Sequence, residues 1–268
     1  MHFSIAFAAL AGAVQLVLAV QPVAQLQGMR TLVGIIVLSC LWAIARSLPP
    51  NSIERQFKHP SFSVVVKVGD LFDESGGLVV GFTDVFDTST DDEGIITPRS
   101  VQGQLLQRIF RGDASALDAA LEAGLRGSPI LTSETEESKP RGKRDRYPIG
   151  TVVAISSEER KYYCVAYSRM SNDLIARSSV DYLWQSLSNV WSAAALNGQL
   201  GPIATPVLGS DLARVSSLGH ESLVKMIILS FVAASRVDLV ARQLTVVIHS
   251  DDADEVNLHE VQAFLNSL

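Results

Sequence analysis

Phe3 to Val20 reads FSIAFAALAGAVQLVLAV, without one charged residue, and Thr31 to Ala45 repeats the pattern in TLVGIIVLSCLWAIA. Runs of this kind approach what a bilayer core requires of a spanning helix, roughly 17 to 25 residues. Neither has the polar face that a helix packed on a soluble core would show. The stretch between them, QPVAQLQGMR, carries the breakers Pro22 and Gly28, and Trp42 with Arg46 supplies an interfacial anchor and a snorkelling charge. Residues 1–48 are therefore expected to form a transmembrane hairpin, with spans at about 3–20 and 31–47. A cleaved secretory signal is the competing reading, but the leading Met-His offers no basic region.

Basic residues near the spans set the orientation. Arg30 stands alone in the connecting loop, whereas Arg46, Arg55 and Lys58 follow the second run, which places both termini in the cytoplasm. Ala8 and Gly12, four apart, would let two such helices approach closely and suggest a homo-oligomer. The remainder of the 268 residues carries nearly all the charge, and the net balance of −6 gives no reason to expect nucleic acid. Cys40 and Cys164 alone make no disulfide framework.

Residues 49–61, with prolines at both ends and mixed charge, read as a linker. After it, β-branched runs at 62–69 and 77–84 predict strands, and 100–110 and 114–125 have helical spacing. Strands at 150–156 and 161–168, a helix at 179–196, a strand at 203–208, an apolar helix around 223–234, a strand at 243–250 and a closing helix complete the pattern. Val180, Leu183, Trp184, Leu187, Val190 and Trp191 are expected on one buried face. Strands interleaved with helices predict a three-layer α/β/α domain over 62–268. Between the helices and the later strands, Lys139, Arg141, Lys143, Arg144 and Arg146 crowd a loop that reads as a solvated surface or, functionally, as a contact for anionic lipid.

Ligands of such sandwiches collect outside the carboxyl ends of the strands. Gly209 and Ser210 follow one predicted strand there, and a turn with positive φ can aim main-chain N–H groups at a phosphate. Gly69-Asp70-Leu71-Phe72 follows another, and Gly81-Phe82-Thr83-Asp84 ends a third. Together these resemble the macro domains, and more closely those of the Thoeris antiphage systems. Matching motifs stand as Phe86-Asp87-Thr88, Ser100-Val101-Gln102-Gly103, Tyr147-Pro148-Ile149-Gly150-Thr151 and Pro206 to Arg214. The resemblance implies a mixed sheet and an ADP-ribose site. Asp70, Leu71 and Phe72 would hold adenine, and Phe86, Asp87 and Thr88 would lie near the distal ribose. Ser100, Val101 and Gly103 would face the phosphates from one side, and Leu208, Gly209, Ser210, Asp211, Leu212, Ala213 and Arg214 from the other.

Two departures qualify the resemblance. Thr83 stands where the related hydrolases have Asn to position ribose or water, and a hydroxyl lacks the paired groups of a carboxamide. Asp211 replaces a glycine, and its carboxylate would repel a phosphate unless turned away. The resemblance thus implies a binding protein rather than an enzyme, with no catalytic residue, metal or cofactor. It would be an effector of the bacterial inner membrane that senses an ADP-ribose conjugate, that with histidine in the type II system. A TIR-domain enzyme would make the signal, and the lipid membrane would be the target. A membrane-anchored ADP-ribosylhydrolase, drawing a base from Asp84, Asp87, Asp91, Asp92 or Glu93, is the alternative. A purely structural anchor would leave the nucleotide motifs idle.

Overall fold

The computed structural model describes residues 12, 28–47, 51–90, 95–157, 160–210, 215 and 217–268. The chain divides into two compact units, Met1–Pro50 and Asn51–Leu268. In the first, helix α1 spans Gly28–Ser47, where the second apolar run lies. Its side chains are described over 33–42, and Val33, Ile36, Val37, Leu38, Leu41 and Trp42 are all exposed. Among the described residues no helix is long and apolar enough to cross a membrane. The first expected span lies outside the described residues apart from Gly12.

The second unit contains strands β1 (Ser52–Lys58), β2 (Ser61–Val68), β3 (Gly77–Thr83), β4 (Thr132–Ser133), β5 (Asp145–Arg146), β6 (Val152–Ser157), β7 (Arg160–Met170), β8 (Ala176–Arg177), β9 (Ile203–Pro206) and β10 (Gln243–Ile248). Its α-helices are α2 (Val101–Gln104), α3 (Ala114–Leu125), α4 (Val180–Asn197), α5 (His220–Val237) and α6 (Leu258–Ser267). The main sheet runs β1-β2-β10-β9-β3-β7-β6. Its five central strands are parallel, while β1, β6 and the short β8 pair antiparallel at the margins. The sheet is therefore mixed, as expected.

Side-chain alternation along each strand feeds a core on either face. Val79 of β3 and Val165 of β7 join Leu183, Leu187 and Trp191 of α4, Phe231 of α5 and Leu265 of α6 on one face. Leu78, Val80, Phe82, Cys164 and Ala166 turn to the other, against Leu117 and Leu121 of α3. Burying each large apolar side chain contributes about 1.5–3 kcal/mol. Trp191 packs edge-on against Phe231 at 5.3 Å and donates its indole N–H to Ser230 Oγ at 2.9 Å. That bond satisfies the one polar group that burial would otherwise strand.

Four expectations change. Residues 49–61 are not a linker throughout, because Ser52–Lys58 is an edge strand in register with β2 from Ser52↔Lys67 to Lys58↔Ser61. Ile53 and Phe57 point inward while charged neighbours face out, and Phe57 stacks on Phe62 at 4.6 Å. Such charge at a sheet margin discourages pairing with another chain, and it also hides the strand from a reading by hydrophobicity.

The expected helix over 100–110 is instead four residues of α-helix followed by a π-turn, Leu105–Ile109. Val180 and Trp184 do not share the buried face of α4, with exposures of 37% and 43%.

The basic loop lies at the surface, half-buried or exposed, except at one residue. Lys139 is fully buried, and its ammonium donates to the carbonyls of Arg141 and Lys143 beside the Asp87 carboxylate at 3.6 Å. Lys143 pairs with Asp118, Arg144 with Glu136, and Arg146 with both Asp84 and Glu134. A headgroup-binding surface is thereby ruled out for Lys139, whose charge is spent inside the fold.

Candidate functional site

The carboxyl ends of β2, β10, β9, β3 and β7 open into one cleft of about 910 Å³. This is toward the upper end of the range for small-molecule sites. Asp70 occupies the β2 end, caps the 3₁₀ turn Leu71–Asp73, and accepts the Phe72 N–H at 2.9 Å through Oδ1. Its other oxygen, Oδ2, receives Arg108 Nη1 at 2.5 Å, and the same guanidinium lies 4.9 Å above the Phe72 ring. Burial raises the Asp70 pKa, but the hydrogen bond from Arg108, the Phe72 N–H and the charges of Arg108 and His249 outweigh it and hold the carboxyl below its usual range. The π-turn carries Arg108, and such turns recur at functional sites because the added residue re-aims side chains.

Midway along the cleft, Gly209 adopts φ +87°, as its place in the turn requires. A Cβ there would meet Val215 at 3.1 Å and Leu183 and Leu223 at 3.6 Å, so this glycine turns its bare side toward the core. The Ser210 hydroxyl donates to the Val207 carbonyl at 2.8 Å. That bond fixes the turn and takes up the hydrogen expected to serve a phosphate. Leu208 also lines the cleft, whereas Asp211, Leu212, Ala213 and Arg214 lie outside the described residues.

At the end of β3 the register against β7 shifts between Phe82 and Thr83, a bulge of the sort that re-aims a side chain beside a site. Thr83 lines the cleft with 6% exposure, and its hydroxyl, itself closed off from the cleft, has no hydrogen-bond partner among the described residues. Next to it Gly81 makes room for Tyr167, because a Cβ at Gly81 would stand 2.5 Å from the Tyr167 ring and 3.0 Å from Leu208.

The Ser100 hydroxyl accepts the Gly103 N–H at 3.1 Å and donates to the Thr97 carbonyl at 2.7 Å. Ser100 and Val101 line the cleft. Gly103 is not among the lining residues; a Cβ there would strike the carbonyls of Thr97 and Pro98 at 2.5 and 2.7 Å, so this glycine serves packing.

Phe86, Asp87 and Thr88 do not line the cleft and are corrected to structural roles. Phe86 is fully buried between Phe82 and Tyr147, and the Thr88 hydroxyl donates to Asp118 at 2.6 Å. Asp87 accepts the Lys143 N–H at 2.5 Å. Burial pushes its pKa up, against the opposing pull of that N–H and of Lys139. Burial likewise lowers the Lys139 pKa despite the neighbouring carboxylate.

Several lining residues escaped the sequence reading. Tyr167 and Ser168 were placed in a strand, and the carboxyl end of that strand was the signal that could have found them. His220, His249, Asp251, Asp252 and Glu255 form a rim near Asp70, assembled from segments remote in sequence. Ligand atoms of His220, Asp252 and Glu255 lie within 4.8 Å of one another, although no metal-ligand pattern stands around His220 in sequence. These three could hold a cation, but His220 Nδ1 already stands 2.6 Å from Glu255 Oε2, a distance that closes the group on itself.

The family model of the Thoeris protein ThsA, Macro domain, matches residues 64–249. No curated protein matches the chain. Among solved structures, the Oceanobacillus iheyensis macrodomain with ADP is similar over 82% of this chain and all of its own, at 12% identity and a TM-score of 0.55. A variant of that macrodomain with ADPR is similar over 80% of this chain and all of its own, again at 12% identity and a TM-score of 0.55. At such identity the likeness concerns the fold.

Proposed function

Because the chain belongs to the Thoeris ThsA macro-domain family, we propose that its cleft binds an ADP-ribose-type signal and that binding is coupled to the N-terminal segment. The observation that carries this reading is the order of groups along the strand ends. A carboxylate at β2, a positive-φ turn at β9 and Thr83 at the end of β3 share one cleft. They match, in sequence, an adenine amino group, a diphosphate and a distal ribose. The ligand is an ADP-ribose conjugate, with the histidine conjugate the first candidate, and a TIR-domain enzyme is its source.

Binding without turnover is supported by the fate of the candidate bases. Asp84 accepts Arg146 at 2.9 Å and the Met170 N–H at 2.8 Å, and Asp87 is held by Lys143 and Lys139. Both carboxylates are occupied away from the cleft, while 91–94 lie outside the described residues. A general base must reach the proton it removes, and neither Asp84 nor Asp87 is among the residues lining the cleft.

The two apolar runs of residues 1–48 would embed the protein in the inner membrane and disrupt it as oligomers once signal binds. A ligand shifts such an equilibrium only by its differential affinity for the two states, so the active arrangement must bind the signal more tightly. Membrane potential in cells making the signal tests the whole reading. The full chain should depolarise them, and a chain lacking 1–48 should not. Equal depolarisation by both would remove the N-terminal segment from the mechanism.

A further inference from the structure

A second cavity, of about 370 Å³, lies at the opposite end of the sheet. It opens where the parallel strands β3, β7 and β9 begin, beside the end of α4, and it shares no lining residue with the cleft. Its volume falls within the range of small-molecule sites. Arg160 and Lys161, at the start of β7, both line it, and the lining includes no Asp or Glu. The Arg160 guanidinium donates to the carbonyls of Phe72 and Glu74, which hold it in place without neutralising it, while the Glu74 carboxylate is taken by Lys67 at 2.5 Å. The carbonyl end of α4 brings only about half a negative charge, so the two cations dominate the local field.

Tyr163 forms the inner wall. Its ring stands between two glycines of the lining, because a Cβ at Gly77 would meet the ring at 2.8 Å and one at Gly198 would meet the hydroxyl at 3.1 Å. The residue is 2% exposed, and its hydroxyl has no hydrogen-bond partner among the described residues. Unlike the hydroxyls of Thr83 and Ser235, this one is not closed off from its surroundings. Buried hydroxyls ordinarily find partners. Burial raises the Tyr163 pKa, so the group keeps its proton and is available as a donor. The turn after α4 adds a main-chain donor. Gly198 is right-handed, with φ −88°, and Gln199 left-handed, with φ +50°, the alternation with which successive N–H groups form an anion nest. Gln199 lines the cavity, and its N–H has no backbone partner among the described residues.

We propose that this cavity is a second ligand site, and that it takes a small phosphomonoester. The phosphate lies between Arg160 and Lys161 and accepts hydrogen bonds from the Tyr163 hydroxyl and the Gln199 N–H. Two cations without an acid among the lining match a dianion better than a neutral or cationic guest, and hydrogen bonds to such an anion are about twice as strong as neutral ones. The cavity is larger than one phosphate group and leaves room for a short organic remainder. The site is independent of the reading of the cleft, since the two share no residue.

Calorimetric titration of the full chain in detergent with glycerol 3-phosphate, with and without ADP-ribose, tests this, and glycerol serves as the neutral control. Saturable binding of the phosphate at one site per chain is expected, undiminished by ADP-ribose, with none for glycerol. Tyr163→Phe should weaken it about tenfold without lowering the melting temperature, because the lost hydroxyl has no protein partner. Lys161→Gln should weaken it about as much, and neither change should alter ADP-ribose affinity. Absence of saturation up to about 10 mM, displacement by ADP-ribose, or unchanged affinity in either variant would overturn the site and leave the reading of the cleft as it stands.

Discussion

Arg108 and Asp70 meet at 2.5 Å across the β2 end of the cleft, with the guanidinium also lying over Phe72. A carboxylate has lone pairs enough to accept Arg108, the Phe72 N–H and an amino group of the ligand together. Asp70→Ala should therefore weaken ADP-ribose binding by about 1–3 kcal/mol in titration calorimetry, the range for an unpaired polar partner. Arg108→Ala should weaken it less and move its acid limit. Since the folded carboxyl titrates below the usual 3.8, its charge persists above that value and is lost only as pH falls through the lowered one. Without Arg108, binding should fail at higher pH than in the parent protein.

The buried pair of Asp87 and Lys139 gives a second test. Lys139→Met would leave the carboxylate without its cation and two carbonyls without their donor, at a cost of about 3–5 kcal/mol near neutral pH. The Asp87 pKa already stands above its unfolded value and should rise further. Between the two values the folded state holds a proton that the unfolded state lacks, so the variant's stability must fall as pH rises. Urea denaturation from about pH 4 to pH 7 should show that fall. A loss equal at every pH would contradict the assignment.

At Gly209 the cost is conformational. Gly209→Ala should lower stability by about 1–2 kcal/mol, since an L residue must take up a left-handed geometry, and the added Cβ would press on Val215 at 3.1 Å. ADP-ribose affinity should fall with it as the turn relaxes. Thermal denaturation and calorimetry on the same preparation separate the two effects.

The strands β2, β3 and β7 were legible because they are runs of β-branched and aromatic residues, whereas their parallel pairing joins segments distant in sequence. Strand β1 was not, because SIERQFK hides Ile53 and Phe57 among charges that only an edge position explains. At the site, Gly209 was found from a turn that follows a strand, and Asp70 through the resemblance to the macro domains. The Phe86-Asp87-Thr88 motif was misjudged because a motif reports where residues sit in a family, not which way they face, and here burial turns them from the cleft. Arg108 escaped because its reach to Asp70 depends on a π-turn inside an otherwise helical pattern. The burial of Lys139 and the pairing of Lys143 and Arg146 depend on Asp87, Asp118 and Asp84 from elsewhere in the chain, partners that composition alone could not supply.

The measurement that bears most directly on this account is titration of the full chain with ADP-ribose, with chromatography of the recovered ligand. The account predicts saturable binding at one site per chain, loss of affinity in Asp70→Ala, and recovery of the ligand unchanged after long incubation. Absence of binding to the folded protein, or affinity indifferent to Asp70→Ala, would contradict the placement of the ligand in this cleft.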